Sequence, residues 1–509
     1  MSNESNVIEY GWRRTLVTVA VILATVLEIV DVTIVNVALP NVQGNFGVGV
    51  DQGAWIVTGY IIANVIVIPI SPWLQVRFGR RAYYLASIAL FTAASLMCGL
   101  AGSFGALVFW RIAQGLGGGG LLSTSQAILR ETYPLREQGK ATGIFSMGVI
   151  VGPAIGPLLG GIITDQLSWR WAFFINIPLG ILAATLAYFF LRNPAKPQKS
   201  KLDWIGLAFL AVGLGAMQYV LDQGQQKDWF DDPAICWLTL TSILSLAAFV
   251  FWTLRSKIPV VDLNILKYRA VVTGSILGAV LGISLYGSIV ILPQYVQNSL
   301  NFSATASGQL ILIRALAVAL MTPAIAILAG RNLIDPRILI GTGFTLVGIS
   351  NWLMANVTTS DSGFWTFGVS LAVSGLGLGM IFVPLSISVL SAVPAQAVPK
   401  AAAFFNLSRQ IGGSIATAAL VAILSHAEAA HQVALAGQIA HHVHAVNTFL
   451  NGDGTGSRLQ QLYAMVTGQA LVLSYADTSR ITAVISICLA PLVLLLRRPK
   501  MHASSLSVE

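Results

Sequence analysis

Charge is what this sequence has least of. Only 10% of its 509 residues are Asp, Glu, Lys or Arg, where a soluble domain carries about a quarter. The deficit runs the length of the chain, so a soluble globule with one core is excluded. Cysteine is scarce too: Cys98, Cys236 and Cys488 lie far apart, each inside an apolar run, which argues against a disulfide framework or a thiolate metal site. No Gly-x4-Gly-Lys-[Ser/Thr] loop and no His-Glu-x-x-His occurs, which argues against an ATP-driven pump and a membrane enzyme. The glycine runs Gly117–Gly120 and Gly375–Gly379 fall inside apolar stretches that no nucleotide could approach. The formal charge of +9 forms no single patch, so nucleic acid is not an expected partner.

Present instead is apolar sequence, 55% of residues at a mean hydropathy of +0.76. A membrane-spanning helix needs about 20 apolar residues, and the pattern recurs at 15–39, 54–75, 82–102, 106–129, 141–163, 171–192, 203–222, 234–254, 270–292, 304–329, 337–357, 364–390, 401–425 and 479–496. This predicts an all-α polytopic membrane protein with fourteen transmembrane helices. Arg13 and Arg14 precede an apolar stretch that is too long for a signal peptide, contains Glu28 and Asp31, and lacks a cleavage site, so it reads as a retained first span. Placing both termini in the cytoplasm leaves only Arg170, Lys227, Arg458 and Arg480 outside, with the other loop Lys and Arg residues inside. That bias sets orientation and supports the count, because losing one span would scramble it.

The linker Asn193–Leu202 is basic and carries proline; His426–Thr478 is rich in Ala, Gln and His, with a turn at Asn451–Gly456, and is predicted to form an external helical hairpin. Leu39–Gly53 and Leu292–Gly308 echo one another in their Leu-Pro start and small-residue end. The echo divides the chain into a six-helix half over 1–192, a linker with two inserted spans over 193–269, and a second six-helix half over 270–509 that includes the hairpin 426–478, the halves being parallel repeats.

Ionisable residues at membrane depth are costly and need a reason. They are Glu28 and Asp31 in the first span, Arg111 in the fourth, Arg314 in the tenth and Arg409 in the thirteenth. Glu28 and Asp31, three apart, share a helix face that must look into the bundle or a watery cavity. A carboxyl balanced between burial, which favours its neutral form, and a nearby Arg, which favours its charged form, is suited to carry a proton. Asp31 is the leading candidate for proton coupling, Glu28 the second, and Arg111 the counter-charge; a fixed ion pair joining spans 1 and 4 is the alternative. For Arg314 and Arg409, anchoring to backbone carbonyls or a place near a helix end is expected. In the fifth span, Gly148, Gly152, Gly156 and Gly160 form a small-residue stripe interleaved with Pro153, Pro157 and Gly161, suited to close helix packing at an interface that flexes. Arg77-Phe78-Gly79-Arg80-Arg81 reads either as inside-loop charge or as a cytoplasmic clamp.

Taken together, these motifs resemble the major facilitator superfamily, in particular the fourteen-span drug:proton antiporters of the EmrB/QacA type. Val30–Pro40 resembles that group's first-span signature, whose Asp matches Asp31. Trp110–Gly119 resembles its fourth-span motif, placing the functional Arg at Arg111 and the Gln-Gly at Gln114-Gly115. Gly148–Gly161 is similar to the antiporter motif, Trp169–Gly180 to the start of the sixth span, and Leu221–Phe230 and Gln469–Arg480 to EmrB-type chains. The resemblance implies two six-helix halves rocking about a midplane cavity, proton motive force with no cofactor, small-molecule cargo, a bacterial inner-membrane location, and a periplasmic adaptor with an outer-membrane channel that would meet the hairpin. It also implies gating by the loop at Arg77, Gly79, Arg80 and Arg81. This chain departs from the pattern there: the loop motif's Gly is Pro72 and its Asp is Val76. A transporter for one metabolite, siderophore or organic anion on the same fold is the competing reading. The histidines His426, His431, His441, His442 and His444 stand in an Ala- and Gln-rich stretch without cysteine and are expected to be solvated surface, not a metal site.

Overall fold

In the computed structural model, residues 8–134, 137–193, 197–198, 201–300, 302–330, 333–359, 362–441 and 455–496 are described. Within them the chain is helical throughout and no strand occurs, as it must be where backbone polar groups have no water to bond. The helices are α1 (Gly11–Phe46), α2 (Val50–Phe78), α3 (Arg80–Gly99), α4 (Phe104–Gly118), α5 (Leu121–Thr132), α6 (Gln138–Gln166), α7 (Trp171–Phe174), α8 (Asn176–Phe190), α9 (Trp204–Gln223), α10 (Pro233–Arg255), α11 (Arg269–Asn298), α12 (Ala304–Gly330), α13 (Pro336–Val357), α14 (Phe364–Leu390), α15 (Val398–His441) and α16 (Thr455–Leu489). Twelve helices of the described residues are individually long and apolar enough to cross a membrane. The broken pair α4–α5 and the 30-residue α11 lie where the sequence predicts the other two of its fourteen spans.

One sequence expectation needs correction. The fourth span is not one helix: it breaks at Gly119-Gly120 between α4 and α5. The glycine run allows backbone contact there. A Cβ on Gly115 would lie 2.3 Å from the Tyr60 carbonyl oxygen, and one on Gly119 would lie 2.4 Å from that of Asn64. The arms expected for the hairpin over 426–478 are helical and continuous with the spans beside them: the thirteenth runs without interruption to His441, and the fourteenth begins at Thr455. His442, His444 and Asn451–Gly454 lie outside the described residues.

The halves meet unevenly. Near the basic loops, one apolar core joins Val17, Ala20 and Phe145 of the first half to Phe382, Val398 and Phe405 of the second. Phe145 and Phe382 lie 6.4 Å apart between ring centroids. Towards the opposite face the described residues form separate cores, one around Ile34, Val42 and Phe173 and another around Tyr295, Phe367 and Tyr475. The molecule is therefore closed on the basic-loop face. The inserted helices α9 and α10 pack on each other, and α9 packs on α2, where its Asp222 accepts a hydrogen bond from Thr58. Asp222, at the end of the seventh predicted span, is a further acid beyond those expected at membrane depth.

The glycine stripe of α6 faces α1 along its length. Its four positions meet Val26, Ile29, Thr33 and Val37 in turn. Pro153 and Pro157 sit inside α6 without breaking it. The tolerance of the stripe is uneven. A Cβ on Gly156 would fall 1.8 Å from Thr33 Oγ1, whereas one on Gly148 would meet nothing closer than 3.4 Å. Gly156→Ala should therefore cut the yield of monodisperse detergent-extracted protein several-fold while Gly148→Ala leaves it unchanged, since Ala is otherwise the better helix former; size-exclusion chromatography of the two variants measures the difference.

Candidate functional site

Helix α1 carries both carboxylates, but they address different neighbours. Residues three apart on a helix differ by about 60° in direction and about 4.5 Å in height, enough to send adjacent side chains into separate surroundings. Asp31 is fully buried within the first half. Arg111 Nη1 donates to its Oδ2 at 2.6 Å, and Gln114 Nε2 and Asn176 Nδ2 donate to its Oδ1 at 2.8 and 2.6 Å. Arg111 also donates to Gln114 Oε1 at 2.7 Å and to the Ile56 carbonyl at 2.9 Å, and its guanidinium lies 4.3 Å from the centre of the Tyr60 ring. Ser95 accepts from both Gln114 and Asn176. Of the two surroundings expected for this helix face, Asp31 has the bundle interior: the side chain lies in a network joining α1, α2, α3, α4 and α8.

Glu28, one turn away, turns towards α2 and α5. Asn64 Nδ2 donates to Oε1 at 3.0 Å and the backbone N–H of Leu122 donates to Oε2 at 3.1 Å. That N–H is free for the purpose because α5 starts afresh at Leu121, leaving its first amides without helical acceptors. The break in the fourth span thus puts the positive end of a helix dipole against an acid in mid-membrane. Arg409 is buried on α15 of the other half.

The loop residues Arg77, Gly79, Arg80 and Arg81 form several local contacts. Arg80 pairs with Glu131 and donates through Nε to Gln75 at 3.1 Å. The Arg81 backbone donates to Asn193 Oδ1 at 2.8 Å, and its guanidinium reaches the Tyr188 carbonyl. Gly79 has a φ of 85° and abuts Pro197, a conformation that suits glycine. Arg77 stacks loosely on Phe78. Val76, which replaces the usual Asp, is partly exposed. Beside it a cavity of about 170 Å³ is lined by Pro72, Trp73, Val76, Val261, Lys400 and Phe404, and at its edge Asp262, from the segment after the inserted pair, bridges to Lys400 at the start of α15 at 2.8 Å. Among the histidines, His431 pairs with Asp477 of α16 at 2.8 Å, and no group of three metal-ligating side chains forms among the described residues.

Sequence reasoning found the charges and missed two of the neutral donors that hold them. Asn64 and Asn176 each stand as a lone amide in an apolar run, and lone polar residues at depth were the signal available for them.

Fold and site together are those of a secondary transporter, and the comparisons agree. Residues 21–417 match the model of the Major Facilitator Superfamily, and the chain belongs to that family of multi-pass membrane transporters. It is 33% identical to the multidrug export protein EmrB of Haemophilus influenzae over 86% of this chain and 85% of that one. It is 30% identical to EmrB of Escherichia coli K12, with 96% of each covered. The human organic anion transporter MFSD10 shares the fold at a TM-score of 0.58 and 13% identity, over 94% of this chain and 100% of that one.

The buried Asp31–Arg111 pair yields a stability test. Removing one partner of a buried pair leaves an uncompensated charge and costs about 3–5 kcal/mol, whereas removing both charges is often nearly neutral. Asp31→Asn should lower the melting temperature of the purified protein markedly, and the double variant Asp31→Asn/Arg111→Gln should recover most of the loss. Equal melting of the wild type and Asp31→Asn would remove the pair from the structural account.

Proposed function

We propose that this protein is a proton-coupled exporter of drugs and other amphiphilic small molecules, working by alternating access in a bacterial inner membrane with both termini cytoplasmic. The likeness to multidrug export proteins over nearly the whole chain supports the export of such compounds. The observation that carries proton coupling is Glu28, a carboxylate in mid-membrane held by two neutral donors. Asp31 already receives three hydrogen bonds, one from a guanidinium, which favour its charged form. We therefore assign Asp31 and Gln114 to holding Arg111, and Glu28 to carrying the proton. The antiporter-motif residues Gly148, Gly152, Pro153, Gly156, Pro157, Gly160 and Gly161 supply the close α1–α6 surface against which Glu28 is presented.

The gate on the basic face is assigned to the loop at Arg77, Gly79, Arg80 and Arg81 together with the Asp262–Lys400 bridge. Burial by itself would raise the Asp262 carboxyl, but hydrogen bonds from Lys400 and Asn264 outweigh it and hold it below its ordinary value, so the bridge is charged at neutral pH. The 44 residues of α15 extend about 66 Å, well past a hydrocarbon core of about 30 Å. With α16 it exposes Val433, Leu459, Tyr463 and Met465, a surface suited to a periplasmic adaptor that leads to an outer-membrane channel.

In everted vesicles, Glu28→Gln should reduce pH-gradient-driven uptake of ethidium at least about tenfold, the scale of a single essential group, across a panel of unrelated amphiphiles. Wild-type uptake by Glu28→Gln defeats the proton assignment, and transport of a single compound from the panel defeats the drug reading. For the gate, cysteines at Asp262 and Lys400, in a background lacking Cys98, Cys236 and Cys488, should cross-link under oxidation and arrest transport until reduced. Cross-linked protein that still transports excludes this contact from the gating motion.

A further inference from the structure

Within the apolar core that closes the basic face lies a pair of amides, one from each half. Asn406 of α15 is 1% exposed and Gln126 of α5 is 4% exposed. Members of that core flank them on both sides: Ala127 and Ile128 on α5, Ala402 and Phe405 on α15. Asn406 Nδ2 donates to Gln126 Oε1 at 3.0 Å and to the Ala402 carbonyl, one turn back on its own helix, at 3.0 Å; it lies 3.5 Å from Ser123 Oγ. A carbonyl can only accept, so the atom of Asn406 that faces it is the nitrogen, and both hydrogens of that nitrogen are in use. The other ends of the pair are unmatched. Gln126 Nε2 and Asn406 Oδ1 are buried and meet no partner among the described residues. Buried polar atoms are nearly always paired, and one left unpaired costs the full desolvation of its group. The two halves are therefore joined here by one good hydrogen bond and two polar atoms that oppose burial. An apolar contact of the same shape would hold the face shut more strongly.

We infer that Gln126 and Asn406 are a polar key that sets the strength of the basic-face closure. Their shared bond fixes how α15 seats on α5, and their unmatched donor and acceptor keep the closed state weak enough to open. The inference rests on the alternating-access reading and is independent of which acid carries the proton. A polar residue set singly in an apolar helix interface is known to fix register at a cost in stability. Here that cost falls on one conformation only. When α5 and α15 part, water reaches both amides and satisfies all of their donors and acceptors, so the desolvation that opposes closure is recovered on opening. The surrounding Ala127, Ile128, Ala402 and Phe405 favour closure by apolar burial. With the two effects opposed, neither state is favoured so far that the cycle stops. Gln126 and Asn406 are thus positioning residues, acting on the equilibrium between states.

The test is the distribution of conformations of the full-length protein in lipid nanodiscs. Spin labels replace the exposed residues Phe78 and Leu333, one on each half near the basic face, in a background lacking Cys98, Cys236 and Cys488. The wild type should show a short and a long distance whose ratio changes when ethidium is added. Gln126→Met/Asn406→Leu puts apolar groups of similar shape in place of the amides. It should raise the short-to-long ratio at least about tenfold and reduce ethidium uptake into everted vesicles by a similar factor. Its melting temperature should stand at or above that of the wild type, which separates a jammed closure from a damaged fold. Asn406→Ala, which strands the Gln126 amide, should shift the ratio towards the long distance by a similar factor. If one variant fails to fold, the other decides. Either variant, folded and with the wild-type ratio, overturns the inference. A wild type that keeps one distance with and without ethidium defeats the alternating-access reading itself, whereas a responsive wild type beside an equally responsive double variant defeats only the key.

Discussion

The close approach of the fourth span to α2 and α3 is the constraint on which the rest of the first half depends. Without side chains at Gly115, Gly117, Gly118 and Gly119, its backbone reaches the Tyr60 and Asn64 carbonyls and the Phe91 backbone. That contact fixes Arg111 where Asp31, Ile56 and Gln114 surround it. It also ends α4 and restarts the chain as α5, so that a backbone N–H points at Glu28. One steric fact therefore places both carboxylates. Any side chain at Gly119 would have to move a backbone carbonyl, which has no flexible end to give way.

From this follows a division of labour between two acids one turn apart. In a low-dielectric interior a carboxylate keeps its charge only if donors replace the water it loses. Asp31 receives a guanidinium and two amides, a complete set that also ties five helices together. Glu28 receives an amide and one backbone N–H, both neutral. An acid held by neutral donors is suited to exchange a proton; one held by a guanidinium is suited to hold a scaffold.

The basic-face contact shows the same principle at a place where the chain departs from its family's pattern. The loop acid is replaced by Val76, and a carboxylate nevertheless reaches the start of α15, supplied by Asp262 at the exit of the inserted helices. The inserted pair thereby contacts both halves: α2 through the Asp222–Thr58 hydrogen bond and α15 through Lys400.

Hydropathy and the distribution of Lys and Arg were enough to read an all-helical, multi-pass membrane protein, because burial in lipid must be written residue by residue along each span. The same scarcity of charge made Glu28, Asp31, Arg111 and Arg409 visible, and four-residue spacing made the α6 stripe visible, with α1 as its partner left open. Tertiary structure decided the rest. That Asp31 meets α4 and α8 while Glu28 meets α2 and α5 depends on which helices stand on either side of α1, and a three-residue spacing is equally compatible with both. The break in the fourth span, the neutral donors Asn64, Asn176 and Asn406, and the approach of Asp262 to Lys400 join residues up to 280 positions apart. Such pairings leave no local mark, because a polar group in an apolar run announces only that it needs a partner, and the packing of the helices chooses which.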